Sequence, residues 1–217
     1  MRDILTDGLP ILDLLEITPS TRSVAALTNC DQSSVSRIYR HVSESLQLGF
    51  RKCNGTYRAH SNRELLASLR QATQLLRSQR GPEHLQWVAA PWNGPAVAQM
   101  HEANPLPRRW EGEQRTLELL ESRVLDLAVV EVQTVPVAET WSPVPLAHYP
   151  TCLRQALVDP ASAMAQEPAA GTPQQICTDV ALVRRELLER PAIQALIDQL
   201  RRGYRQAYSH LEALHWT

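Results

Sequence analysis

The chain has 217 residues, 43% of them hydrophobic and 21% charged, with a formal charge of −1. That length suits one large or two small domains, and the balance excludes a histone-like basic protein and a disordered acidic one. The longest apolar runs, such as Val124–Val130 with Asp126 inside it, fall well short of the ~18–20 residues that cross a bilayer, so no membrane partner is expected. Met1-Arg2-Asp3-Ile4 opens no apolar signal core, and the scattered Cys30, Cys53, Cys152 and Cys177 form no C-x-x-C pair. Reduced thiols in a cytoplasmic protein are the expectation.

In chain order, Pro10–Ile17 reads as a short helix with proline in its first turn. Thr18-Pro19-Ser20-Thr21 interrupts it and offers a hydroxyl cap for a second helix, about Thr21–Thr28. Asn29-Cys30-Asp31 is a tight connection, and Asp31 caps a third helix from Gln32 to about Gln47. Val35, Ile38, Tyr39, Val42 and Leu46 recur on it at helical spacing. Then Asn54-Gly55, between short β-compatible runs, predicts a type I′ hairpin, which needs φ > 0 at both central residues. Three helices and a hairpin in that order describe a winged helix-turn-helix. The second and third helices also satisfy its physical demands, with Ala25 small enough for close packing and Asn29 tolerant of the left-handed region. A polar face of Gln32, Ser33, Ser34, Ser36, Arg37 and Arg40 is suited to a DNA groove.

Residues 32–80 carry nine basic residues against Glu44 and Glu64, whereas residues 81–217 carry eleven arginines against sixteen acids. The asymmetry fits either a polyanion partner for the first part or a solvated helix face. Ser61 or Asn62 should cap a further helix running to Arg80 and stopped by Gly81-Pro82. Leu65, Leu69, Ala72 and Leu76 form a narrow seam on it at 4-3-4 spacing. So polar a helix needs a partner for that seam, in a second subunit or in the remainder of its own chain.

Asp31-Gln32-Ser33-Ser34-Val35-Ser36-Arg37-Ile38-Tyr39-Arg40 resembles the recognition helix of LysR-type transcriptional regulators, usually S-Q-P-A-L-S-R-x-I-R. The resemblance continues through Leu46-Gln47-Leu48, the wing to Arg58, and Glu64-Leu65-Leu66, covering about the first 80 residues. Asp31 stands where that family has Ser or Thr, Ser33 replaces a frequent Pro, and Arg63 a usual Gly. An acid at the helix start repels a phosphate that a hydroxyl would bind. The resemblance implies double-stranded DNA as partner, with Gln32, Ser33, Ser34, Ser36 and Arg37 facing bases or phosphates. It gives the backbone or minor groove to Arg40 and the wing residues Arg51, Lys52 and Arg58. It also makes the helix of residues 61–80 a dimerising linker.

Beyond Pro82, a strand at Leu85–Ala90, a helix at Gly94–Ala103, a short strand at Arg108–Glu111, a helix at Glu113–Ser122 and a strand at Val124–Val132 are predicted. That order implies a mainly parallel sheet with helices on its faces. Leu117-Glu118-Leu119-Leu120 with Val124–Val130 resembles the "G-x-L-D-L-A-I" segment of LysR effector domains, and Pro191–Tyr208 their C-terminal helix. Residues 133–175 hold seven prolines, Pro136, Pro143, Pro145, Pro150, Pro160, Pro168 and Pro173, and read as loop-rich with strands near Val144–Ala147 and Cys152–Val158. There is room for little more than one effector lobe.

The expected architecture is α/β overall. Residues 1–60 form a winged helix-turn-helix, 61–80 a linker helix, and 81–217 a single reduced periplasmic-binding-protein-like α/β lobe. No P-loop, G-x-S-x-G, H-E-x-x-H or G-x-G-x-x-G is present, and His41, His60, His84, His101, His148, His210 and His215 lack metal spacing. Neither an enzyme nor any cofactor is expected, and a redox switch of Cys152 with Cys177 has little behind it. The first function reading is a dimeric or tetrameric DNA-binding regulator without a two-lobe inducer cleft. The alternative is an interaction protein that modulates another regulator or RNA polymerase through its linker helix and lobe.

Overall fold

The computed structural model describes residues 3–18, 20–100, 106, 112–131, 139–151, 176–209 and 215–216. The chain divides into two units, Met1–Leu75 with Leu117–Val124, and Leu76–Thr116 with Leu125–Thr217. In the first, a π-helical turn (Ile4–Gly8) leads into α1 (Leu9–Ile17), α2 (Thr21–Leu27) and α3 (Gln32–Ser45). The hairpin of β1 (Arg51–Cys53) and β2 (Thr56–Arg58) follows, and then α4 (Arg63–Arg80). Leu12, Leu15, Val24, Val35 and Leu48 are fully buried and make the core. Part of the punctuation falls as predicted. Ser20 caps α2 by accepting the Ser23 amide at 3.2 Å, Asn29 turns at φ 50, and Asn54 and Gly55 turn at φ 49 and 85.

Ser61 and Asn62 behave differently from the expected side-chain caps. Their side chains donate backwards, Ser61 Oγ to the Gln47 carbonyl at 2.7 Å and Asn62 Nδ2 to that of Leu46 at 3.0 Å. Carbonyls at the end of α3 have no intrahelical partner, and these two bonds satisfy them while α4 starts on the Asn62 carbonyl alone.

The inner side of α4 is polar. Arg70 is 3% exposed and donates through Nε to Asp13 and through Nη2 to Glu16 of α1, both at 2.8 Å. A third contact reaches the Ser122 carbonyl at 3.4 Å. Burial alone would lower the basicity of this guanidinium, but the Asp13 and Glu16 charges outweigh it and hold its pKa above the ordinary value. Gln74, one turn on, accepts from Arg123 at 2.8 Å.

The second unit is built on a sheet of β3 (Trp87–Ala89), β4 (Leu127–Glu131), β5 (Trp141–Pro150), β6 (Ile176–Arg184) and β7 (His215–Trp216). Their spatial order is β3-β4-β6-β5-β7. The expectation of a mainly parallel sheet is corrected here: β3 and β4 pair in parallel and every other pair is antiparallel. The reason is β6, which sequence reasoning missed and which enters between β4 and β5 running against both. The predicted strand near Val144–Ala147 is the middle of β5, which is ten residues long and also takes in Pro143 and Pro150 of the stretch that reads as loop-rich. Proline is tolerated there because β5 has β6 on one side and only the two-residue β7 on the other, so a missing N–H can face outward. The predicted strands Arg108–Glu111 and Cys152–Val158 lie outside the described residues.

Three further helices follow: α5 (Gly94–Ala98) of this unit, α6 (Glu113–Glu121), whose residues are divided between the two units, and α7 (Pro191–Tyr208) of this unit. The last has the predicted bounds, starts on proline, and buries Ile193, Leu196, Ile197 and Leu200. Gly203 lets it approach α5, since a Cβ there would strike the Ala96 carbonyl. At the end of α4, Arg77 grips Asp126 with two bonds of 2.9 and 2.8 Å, and Asp126 also accepts the Gln86 amide at 2.7 Å. Cys177 is buried, with its Sγ 3.3 Å from the Thr151 hydroxyl. Its proposed partner Cys152 lies outside the described residues.

Beneath α7 sits a fully buried carboxylate, Asp179. It accepts from Tyr149 and Tyr204, both at 2.9 Å, from Asn93 at 3.1 Å and from the Trp92 indole at 3.3 Å. Burial, reinforced by the Asp179 charge, raises Tyr149 and Tyr204 well above the ordinary tyrosine value, and burial also raises Tyr208. The folded unit therefore keeps three protons that the unfolded chain loses near pH ~10. Their stabilisation is complete below that pH and falls away as pH rises above it. In an alkaline titration these tyrosines should ionise, by ultraviolet absorbance, only as helical ellipticity is lost. Ionisation of all five tyrosines of the chain before unfolding would contradict the buried network.

Candidate DNA-binding face

The apolar stripe of α3 decides which residues point outward. Val35, Ile38 and Val42 are buried, and at ~100° per residue the opposite arc holds Ser33, Ser36, Arg37 and Arg40. Ser33, Arg37 and Arg40 are exposed and Ser36 half-buried. Gln32 and Ser34 lie on the two flanks. Gln32 donates to the Thr21 hydroxyl at 3.0 Å, tying the start of α3 to the start of α2. Ser34 accepts from Arg37 at 3.2 Å, and both border a surface groove of about 380 Å³ that also includes His41, a residue the sequence did not single out.

The wing is fastened to α3 by aromatic rings. Tyr57 meets Tyr39 edge-on at 5.6 Å and stacks on Phe50 at 5.8 Å. The Phe50 amide donates to the Ser43 side-chain hydroxyl at 2.8 Å just before the hairpin begins. Arg51 and Arg58 face each other across the strands, with Lys52 opposite Tyr57 and its ammonium 5.9 Å from that ring. All three cations are exposed. Arg58 donates to Glu118 at 2.7 Å, so part of its charge is answered within the unit. A pair this exposed is weak and can be exchanged for a phosphate.

Helix α3 begins on an acid. Asp31 occupies its N-cap position, in extended conformation at φ −73 and ψ 146, but its side chain accepts no capping hydrogen bond. The first helical bond is made instead by the backbone, Val35 N to Asp31 O at 3.0 Å.

On α4 the predicted seam lies outward. Leu65, Ala72 and Leu76 are exposed and Leu69 half-buried, while Leu66, Arg70, Thr73, Gln74 and Ser78 are buried. A helix with a polar, arginine-bearing outward arc, an aromatic-pinned basic wing and a long helix with an exposed leucine row thus occur on one chain. Solved structures match over most of the chain's length. The likeness is to full-length LysR-type regulators. Among them are a full-length OxyR variant from Pseudomonas aeruginosa (14% identity, 91% of this chain and 97% of that one, TM-score 0.49) and ArgP from Mycobacterium tuberculosis (13%, 94% and 97%, 0.45). Full-length LysG from Corynebacterium glutamicum with bound effector Arg is a third (13%, 93% and 99%, 0.42). At such identities and scores this likeness lends the chain no function of its own. No protein-family profile and no curated protein matches the sequence. Among the described residues, no helix is long and apolar enough to cross a membrane and no group of metal ligands occurs.

Proposed function

We propose that the protein is a LysR-like, sequence-specific DNA-binding transcriptional regulator. Residues 1–60 bind double-stranded DNA, residues 61–80 pair two chains, and residues 81–217 form a lobe that makes protein contacts. The observation that carries the reading is the outward arc of α3, where Ser33, Ser36, Arg37 and Arg40 stand opposite the buried Val35–Ile38–Val42 stripe. Short hydroxyls and arginines at the start of a groove-sized helix can approach base edges, while Arg51, Lys52 and Arg58 supply phosphate contacts. Pairing of two chains is supported by the exposed Leu65–Leu69–Ala72–Leu76 row. A single lobe is supported by β5 and β6, which pair as far as Pro150 and Ile176. Residues 151–175 connect those strand ends and are too few for a second α/β domain.

The direct test is protection of DNA upstream of the protein's own gene, since regulators of this kind often control neighbouring promoters. A discrete footprint is expected, and binding no tighter than to random DNA would overturn the reading. Arg37 gives a finer prediction. Arg37→Ala should cost about 1–3 kcal/mol on the cognate site and less on random DNA, because one arginine–guanine fork is worth that much. An equal loss on both would make Arg37 a phosphate contact, and no loss would take α3 out of the groove.

A further inference from the structure

We propose that Glu118 competes with DNA phosphate for Arg58 of the wing. It holds the guanidinium in the free protein and yields it to the backbone when DNA binds, which weakens binding to every duplex without changing the sequence preferred. The inference rests on the DNA-binding reading above and names an internal brake on that same site. Residues Leu117–Val124 belong to the first unit, although Leu76–Thr116 before them belong to the second. They are firmly seated there. Leu119, Leu120 and Val124 are at most 1% exposed, the Ser122 carbonyl accepts from Arg70 at 3.4 Å, and Arg123 donates to Gln74 at 2.8 Å. Glu118 therefore sits on a fixed backbone, and its Oε2 meets Arg58 Nη2 at 2.7 Å from sixty residues away in the chain.

The wing makes this contact matter. Arg58 stands directly opposite Arg51 on β1, with Lys52 next along, and like charges opposed across two strands repel. A carboxylate on Arg58 relieves that repulsion in the free chain, and a phosphate relieves it in the complex. Arg58 could hold both anions at once only by bringing them within a few ångströms of each other, which their own repulsion opposes. The two side chains are 47% and 36% exposed, so the pair is weak enough to open when DNA arrives and still subtracts from binding. Phosphates carry no sequence information, and the subtraction is equal for cognate and random DNA.

Titration of the full chain into two fluorescent duplexes, one of random sequence and one from upstream of its own gene, tests this by anisotropy. Glu118→Gln should bind both duplexes roughly two- to fivefold tighter, the worth of one exposed ion pair. Arg58→Ala should weaken both. Adding Glu118→Gln to Arg58→Ala should then change little, because no guanidinium is left to release, whereas a general effect of removing a negative charge would persist. All three variants should melt near wild type, since an exposed pair contributes little to folding. Weaker binding by Glu118→Gln would make Glu118 a positioning residue for Arg58. A gain that persists beside Arg58→Ala would be general charge, and unchanged binding would leave the pair idle. Each of these three results overturns the competition and leaves DNA binding standing. A wild-type chain that binds neither duplex overturns both.

Discussion

Arg70→Met should destabilise the first unit by about 3–5 kcal/mol, the usual cost of removing one partner from a buried ion cluster. Asp13 is 1% and Glu16 7% exposed, so losing the guanidinium takes from two buried carboxylates a cation that they share. Most of the loss is the cost of buried charge deprived of this cation rather than the net worth of the bonds. Lysine should not rescue, because one ammonium cannot reproduce the fork that meets Asp13 through Nε and Glu16 through Nη2. Replacing all three residues by apolar ones of similar volume should recover most of the stability, as buried ion clusters exchanged whole for packed side chains often do. Urea unfolding measures this as a lower midpoint with an unchanged slope. A shift of under about 1 kcal/mol for the single variant would mean that water reaches the cluster in solution.

Leu69→Asp should convert a dimer into a monomer and weaken DNA binding, because each half-site would then be bound alone. Leu65 and Leu76 are 43% and 45% exposed, and each leucine covered in a pair of helices contributes roughly 1.5–3 kcal/mol. Aspartate in the middle of that row would be desolvated without a partner, which subtracts more. The fold of the single chain should survive, since the buried face of α4 runs through Leu66, Arg70, Thr73 and Gln74 instead. Sedimentation should show the change of mass at unchanged helical ellipticity. A wild-type monomer at micromolar concentration would overturn the pairing.

Local rules account for much of what these experiments probe. The turns at Asn29 and at Asn54-Gly55 are readable directly because few residue types accept positive φ. The stripe on α3 and the proline-started α7 are legible because helical spacing of apolar residues is a local pattern. The arc of Ser33, Ser36, Arg37 and Arg40 follows from that stripe by geometry alone. Arg70 and Arg77 are different. In the sequence they are two more cations on a polar helix, indistinguishable from the solvated Arg63 and Arg80. That Arg70 is buried and Arg77 half-buried depends on Asp13, Glu16 and Asp126 arriving from distant positions.

The sheet divides in the same way. Strand β4 is readable from its apolar run and the middle of β5 from Val144–Ala147, whereas the ends of β5 lie in a proline-rich stretch that reads as loop and β6 directly follows it. Residues a few positions apart are enough to dictate the three helices and hairpin, the outward face of α3, the leucine row on α4 and the C-terminal helix. They are not enough for the insertion of β6 between β4 and β5, or for the prolines riding on β5. Nor do they foretell that Ser61 and Asn62 turn back to close α3, or that Asp31 leaves its helix uncapped. Those outcomes arise in the folded chain, where donors, acceptors and apolar faces meet across long stretches of sequence, and no local pattern records the meeting.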